Sequence, residues 1–153
     1  ESLSEALPAL PRVDTGVRVS SAELIAAMQA LPSKQRLNAA TGAAHAAALM
    51  VPGQGLACVR EDVGRHNALD KLAGHLARQG QDADGEVILM TSRLSVELVQ
   101  KAVMMGASVL AGISAPTSLA IEEAKSARLT LVGLVRHDGL VVYSHEERIT
   151  DAA

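Results

Sequence analysis

The chain has 153 residues and a single aromatic side chain, Tyr143, so it is long enough for one domain whose core must be aliphatic. A net charge of -3 argues against a general nucleic-acid binder, which carries a basic field, and the missing aromatics remove the stacking platforms used by single strands. Cys58 is the only cysteine, which excludes an intrachain disulfide and a cysteine-rich zinc site and fits a reducing cytoplasm. No apolar run approaches a membrane span, and no basic-then-apolar leader opens the chain.

Residues 1–20 read as a linker or surface arm, because Pro8, Pro11 and Gly16 break any regular period, and residues 21–153 read as the folded domain. Ser20 or Ser21 caps a helix carrying Leu24, Ile25 and Met28, with Glu23 placed as in a capping box and Pro32 as the stop. Residues 33–40 form a second helix, and the alanine-rich run from Ala46 to Val51 reads as helix turning into strand. Pro52-Gly53-Gln54-Gly55 then turns a hairpin into a strand reaching Asp62. A helix follows to about Arg78. After it, strands at 86–90, 107–113 and 129–135 alternate with helices through Met104 and over 118–127, and His137-Asp138-Gly139 turns the last strand back into Leu140 to Tyr143. Strands alternating with amphipathic helices specify a three-layer α/β/α domain with a mostly parallel sheet and an antiparallel edge hairpin.

In such a sheet ligands bind beyond the carboxyl ends of the strands. Three strand-to-helix turns place polar residues there: Asp62, Arg65, His66 and Asn67, followed by Asp70 and Lys71; then Ser92, Arg93 and Ser95; then Ser114 and Thr117. Helix N-termini favour anions, and arginines can bind phosphate in a bidentate fashion, so together the turns point to a phosphate-bearing small molecule. The competing structural roles are N-caps for Ser92, Ser95, Ser114 and Thr117, an ion pair for Asp62 with Arg65, and solvated helix charges for Asp70 and Lys71. His45 is evenly balanced between a site role and a buried, hydrogen-bonded histidine, and Cys58 reads as an inert core thiol. His75, His137 and His145 lack metal-ligand spacing, and no dinucleotide or P-loop signature occurs.

The segments Thr41-Gly42-Ala43-Ala44-His45-Ala46-Ala47, Glu61 through Lys71, Thr91-Ser92-Arg93-Leu94-Ser95, Val99-Gln100-Lys101-Ala102 and Ser114-Ala115-Pro116-Thr117 resemble, in order, the FdhD family of formate dehydrogenase accessory sulfurtransferases. The resemblance implies a sulfur carrier that takes sulfur from a cysteine desulfurase and passes it to the molybdenum cofactor, in its bis-molybdopterin guanine dinucleotide form, for formate dehydrogenase. It implies a cytidine-deaminase-like fold, a cytoplasmic homodimer, and a nucleotide-binding stretch at Leu134, Val135, Arg136, His137, Asp138 and Gly139, with GDP as a mimic of the cofactor's nucleotide. The family's persulfide cysteines lie in a Cys-Gly-x-Cys-Gly loop before a segment similar to Glu1-Ser2-Leu3. By that resemblance the chain is a cofactor-binding fragment without its catalytic thiol, and Cys58 does not inherit the role. His45 is followed by Ala46 and Ala47 where a zinc deaminase carries His-x-Glu, and the Pro-Cys-x-x-Cys partner is absent, so deamination is excluded on ligand count and no metal site is expected. The alternative function is a non-catalytic dimerisation and docking module for the desulfurase or the dehydrogenase.

Overall fold

A computed structural model describes residues 10–14 and 16–151. The first part of the arm, with Pro8 and the Glu1-Ser2-Leu3 segment, lies outside the described residues. Among the described residues, six strands form one sheet: β1 (His45–Val51), β2 (Gly55–Asp62), β3 (Val87–Met90), β4 (Val109–Gly112), β5 (Thr130–Arg136) and β6 (Gly139–Ser144), in the order β2-β1-β3-β4-β5-β6. The pairs β3–β4 and β4–β5 are parallel, while β1–β2, β1–β3 and β5–β6 are antiparallel. Thus β2, β3, β4 and β5 all point one way, and an antiparallel hairpin closes each edge rather than one.

Among the described residues, five α-helices flank the sheet: α1 (Ser21–Ala30), α2 (Arg36–Thr41), α3 (Arg65–Arg78), α4 (Val96–Met104) and α5 (Ser118–Ala127). Alternation along the strands separates two cores. Ala47, Leu49, Ile88, Met90, Leu110 and Leu131 face α3, α4 and α5 through Leu69, Leu72, Leu98, Val99 and Ala124. Ala48, Met50, Val87, Leu89, Val109 and Val132 face α1 through Leu24, Ala27 and Met28. The three layers are those expected, with unequal cover: three helices on one face and α1 on the other.

Two local expectations are corrected. Residues 46–51 contain no helix; β1 starts at His45, because its alanines are fully buried between β2 and β3, where a small side chain fits a two-sided sheet and propensity has little say. The second helix is shorter than 33–40: Pro32 directs a 3-10 turn, Leu31–Lys34, and α2 begins only at Arg36. Ser20 does cap α1 in a full capping box, its hydroxyl accepting from the Glu23 N–H while the Glu23 carboxylate accepts from the Ser20 N–H at 2.9 Å.

One half-buried carboxylate gives a test of the electrostatics. Glu86, just before β3, has an Oε2 with no hydrogen-bond partner among the described residues. Burial, then the charges of Asp82 and Asp84, push its carboxyl above the ordinary 4.5. A carboxyl whose folded value is raised is least favourable above that folded value and costs nothing below the unfolded one. Glu86→Gln is therefore expected to raise Tm at neutral pH, with the gain closing as pH falls through the raised folded value to the ordinary 4.5. A Tm difference independent of pH would remove this explanation.

Candidate functional site

Because β2, β3, β4 and β5 run in one direction, the turns that follow them share one edge of the sheet, and the antiparallel β1 brings its first residue there as well. His45 pairs in register with Asp62, and the Ala46 N–H donates to the Thr91 hydroxyl at 2.9 Å, binding the start of β1 to the end of β3. The next two turns are laced together: the Thr117 N–H donates to the Leu94 carbonyl at 3.0 Å, and the Leu134 N–H to the Ser114 carbonyl at 3.3 Å. The edge therefore gathers His45, Asp62, Arg65, His66, Asn67, Ser92, Arg93, Ser95, Ser114, Thr117 and the Leu134–Gly139 hairpin. From β2 to β5 it crosses four strand spacings, about 19 Å.

The side chains at this edge divide by what they already bond. The Ser95 hydroxyl accepts from the Leu98 N–H at 3.4 Å and the Thr117 hydroxyl from the Ala120 N–H at 3.1 Å, so both cap their helices, as the structural alternative had it. The buried Ser92 hydroxyl donates to the Arg93 carbonyl at 3.2 Å. Asp62 does not pair with Arg65. Its Oδ1 accepts from the Gly64 N–H at 3.0 Å and its Oδ2 meets Lys71 Nζ at 2.8 Å. Lys71, and after it the Gly64 N–H, hold the Asp62 carboxyl below its ordinary range. Asp70 grips Lys101 at 2.8 Å, linking α3 to α4.

What remains unspent lies mostly at the start of α3. Gly64 is its N-cap and brings no side chain, so the first N–H groups of this helix have no side-chain acceptor, whereas α4 and α5 start on Ser95 and Thr117. Gly64 itself has φ -94°, so it is not required there as a left-handed pivot; a Cβ would stand 3.3 Å from Asn67 Nδ2. Arg65, half-buried in this first turn, has a buried Nε with no hydrogen-bond partner among the described residues. Beside it stands Glu97, which sequence reasoning missed: its own N–H and the Ser95 side chain lower its carboxyl first, and the charges of His66 and Arg65 lower it further. Its position in the first turn after the Ser95 cap was the available signal.

At the other end of the edge the hairpin is built under steric constraint. Leu134 has φ 52°, in the left-handed region that costs a β-capable leucine about 1–2 kcal/mol, and the β5–β6 register shifts between Gly133 and Arg136. A Cβ on Gly133 would lie 2.9 Å from the Tyr143 ring, 3.0 Å from Pro116 Cδ and 3.0 Å from the Ser114 carbonyl oxygen. Two of those neighbours belong to the turn after β4 and cannot withdraw alone. Gly133→Ala is expected to cost about 1–3 kcal/mol in urea unfolding by forcing the two turns apart; a loss below about 0.5 kcal/mol would show that the turn yields freely. Arg136, His137 and Asp138 are exposed at the tip.

A mixed three-layer α/β fold with a polar edge of turns is thus the class this chain defines. Residues 1–150 match the model of the FdhD/NarQ family, and the chain belongs to that family. It is 54% identical over 130 residues to the sulfur carrier protein FdhD of Brucella abortus, covering 85% of this chain and 48% of that protein. To the sulfur carrier protein FdhD of Agrobacterium fabrum it is 47% identical over 150 residues, covering 97% of this chain and 55% of the other. The crystal structure of a formate dehydrogenase accessory protein from Desulfotalea psychrophila superposes with a TM-score of 0.83 at 28% identity, over 97% of this chain and 62% of that one. The chain spans about half the length of the curated relatives it matches.

Proposed function

We propose that this chain is the cofactor-binding part of an FdhD-type sulfur carrier. The whole protein would take sulfur from a cysteine desulfurase and deliver it, in the cytoplasm, to the molybdenum cofactor destined for formate dehydrogenase, with the bis-molybdopterin guanine dinucleotide as cargo. The observation that carries this reading is the uncapped start of α3 with its unsatisfied, buried Arg65 Nε, set on an edge shared with Arg93 and the Arg136 turn. An orphaned guanidinium donor beside free helix N–H groups fits a phosphate oxygen, and about 19 Å of edge suits an elongated dinucleotide better than a small metabolite. His45, His66 and Asn67 lie close enough along the same turns to orient such a ligand, and Asp62 and Lys71 hold the end of β2 against α3.

In this reading the chain binds and orients the cofactor and supplies no sulfur-carrying nucleophile. Cys58 lies on β2 before the edge residues begin, and the persulfide cysteines belong to the preceding loop implied by the family resemblance. The chain alone would then be inactive in sulfur transfer. Calorimetry with GDP tests the proposal: binding is expected, and binding that is absent, or unchanged in both Arg65→Ala and Arg136→Ala, would overturn it.

A dimerisation and docking module is the second reading, favoured by Val63 and Leu119, which are 66% and 63% exposed beside the turns after β2 and β4. Sedimentation separates the two, because a monomer that still binds GDP is incompatible with the docking module.

A further inference from the structure

Lys34, Arg36 and Arg60 gather at one margin of the sheet without an ion pair among the described residues, while Glu61 of the same strand is taken by the N–H groups of Leu37 and Asn38. Among the described residues β2 ends the strand order, with a strand neighbour on one side only. Beside it runs a groove of about 480 Å³ lined by Lys34, Arg36, Cys58, Arg60 and His75 among others, with no Asp or Glu in the lining. In a chain of net charge -3 this is a local reversal of sign. Arg60 is fixed in the groove: its guanidinium donates to the Val59 carbonyl at 2.8 Å and to His75 Nδ1 at 2.9 Å. Because arginine can only donate, His75 accepts at Nδ1.

An apolar shelf continues the groove. Sharing Lys34 and Leu56 with it, a second hollow of about 460 Å³ is lined by Ala26, Ala27, Ala30 and Met50. The one carboxylate there, Glu23, is spent on the N–H groups of Ser20 and Gly53.

Sheet margins are ordinarily defended by charged side chains. Arg60 and Lys71 do that here, reaching the carbonyls of Val59 and Glu61. Lys34 and Arg36 are different: they are exposed, belong to the 3-10 turn and α2, and make no hydrogen bond or ion pair among the described residues. Edge defence does not account for them.

We propose that the margin of β2 is the docking site for an extended acidic segment of a partner protein. The segment lies along the strand with its carboxylates on Lys34, Arg36 and Arg60 and an aliphatic side chain on the Ala26–Leu56 shelf. This surface shares no residue with the edge of turns, so its occupation is independent of nucleotide binding.

The probe is a short peptide of alternating Glu and Val, labelled for fluorescence anisotropy. A Lys-Val peptide and a Glu-Val peptide interrupted by prolines accompany it. The Glu-Val peptide is expected to bind, to weaken as salt screens the charges, and to slow alkylation of the half-buried Cys58 thiol in the groove. Lys34→Glu with Arg36→Glu should weaken binding about tenfold, as expected from the loss of two partly exposed ion pairs, with Tm unchanged. That double variant is preferred to Arg60→Glu, which would also release His75. Equal binding of the Lys-Val peptide overturns the proposal. So does equal binding of the proline-interrupted peptide, which would leave only a diffuse anion site, or binding unaffected by the double variant. A dimer that sediments as monomer when Lys34 and Arg36 are reversed overturns it in favour of a second copy of this chain.

Discussion

Arg65→Ala is expected to weaken GDP binding by about 100-fold while leaving thermal unfolding nearly unchanged. The two halves of that result come from one observation. The Arg65 side chain makes no hydrogen bond among the described residues, and its Nε is buried without a partner, so removal breaks no bond in the free protein. A forked guanidinium contact to phosphate contributes roughly 2–3 kcal/mol, which converts to about two decades in Kd. Arg65→Lys should restore little, because a point charge cannot reproduce the fork. Calorimetry and a melting curve on the same preparations check both halves. A large fall in Tm with unchanged GDP affinity would make Arg65 a packing residue and move the anion site elsewhere along the edge. Arg93, exposed at the start of the next turn, should cost less, since a solvated guanidinium loses more of its contact energy to water.

Much of this site was legible because its residues cluster within single turns. Gly64 through Lys71 is polar in a chain rich in Ala, Leu and Val, and only the direction of β2, β3 and β4 was needed to bring its turn beside the other two. The strand directions followed from the alternation of strands and helices. β1 was less legible: five consecutive fully or almost fully buried residues, three of them alanine, carry no period that separates strand from helix. The division of the polar residues into those already bonded and those still free was not legible at all. Asp62 choosing Lys71 over Arg65, and Asp70 choosing Lys101, depend on where α3 lies over β2 and α4, which a linear pattern does not contain. Cys58 shows the same limit. A strand period suggested a core thiol, and Cys58 does pack half-buried against the core under α3, but on a marginal strand it also lines the groove with Lys34 and Arg36.

The residue that sequence reading passed over entirely has the largest expected effect on stability. Arg148, in the 3-10 turn Glu146–Arg148, is only 6% exposed. Its guanidinium donates to the Arg128 carbonyl at 2.6 Å, the Thr130 hydroxyl at 3.0 Å, the Val13 carbonyl at 3.3 Å and the Ser108 carbonyl at 3.5 Å. It thereby ties the arm, the start of β5 and the turn before β4 at the end of the sheet opposite the polar turns, where Val19 also bridges to Ile149. Burial pulls the guanidinium down from its ordinary value, with Glu147 and Asp14 opposing that pull. Nothing in a lone arginine after two glutamates signals such a role, because its acceptors come from distant parts of the chain. Arg148→Met keeps much of the volume and leaves those acceptors without their donor. The expected cost is about 3 kcal/mol, on the order of 10 °C in Tm for a domain this size. Arg148→Lys should recover part of it, keeping the charge but reaching fewer acceptors. GDP affinity measured well below the new Tm should be unchanged, since this clamp and the edge of turns lie at opposite ends of β5. A Met variant within about 1 kcal/mol of the parent would mean that water replaces the guanidinium at little cost and that other contacts, those of Val13 and Val19 among them, hold the arm.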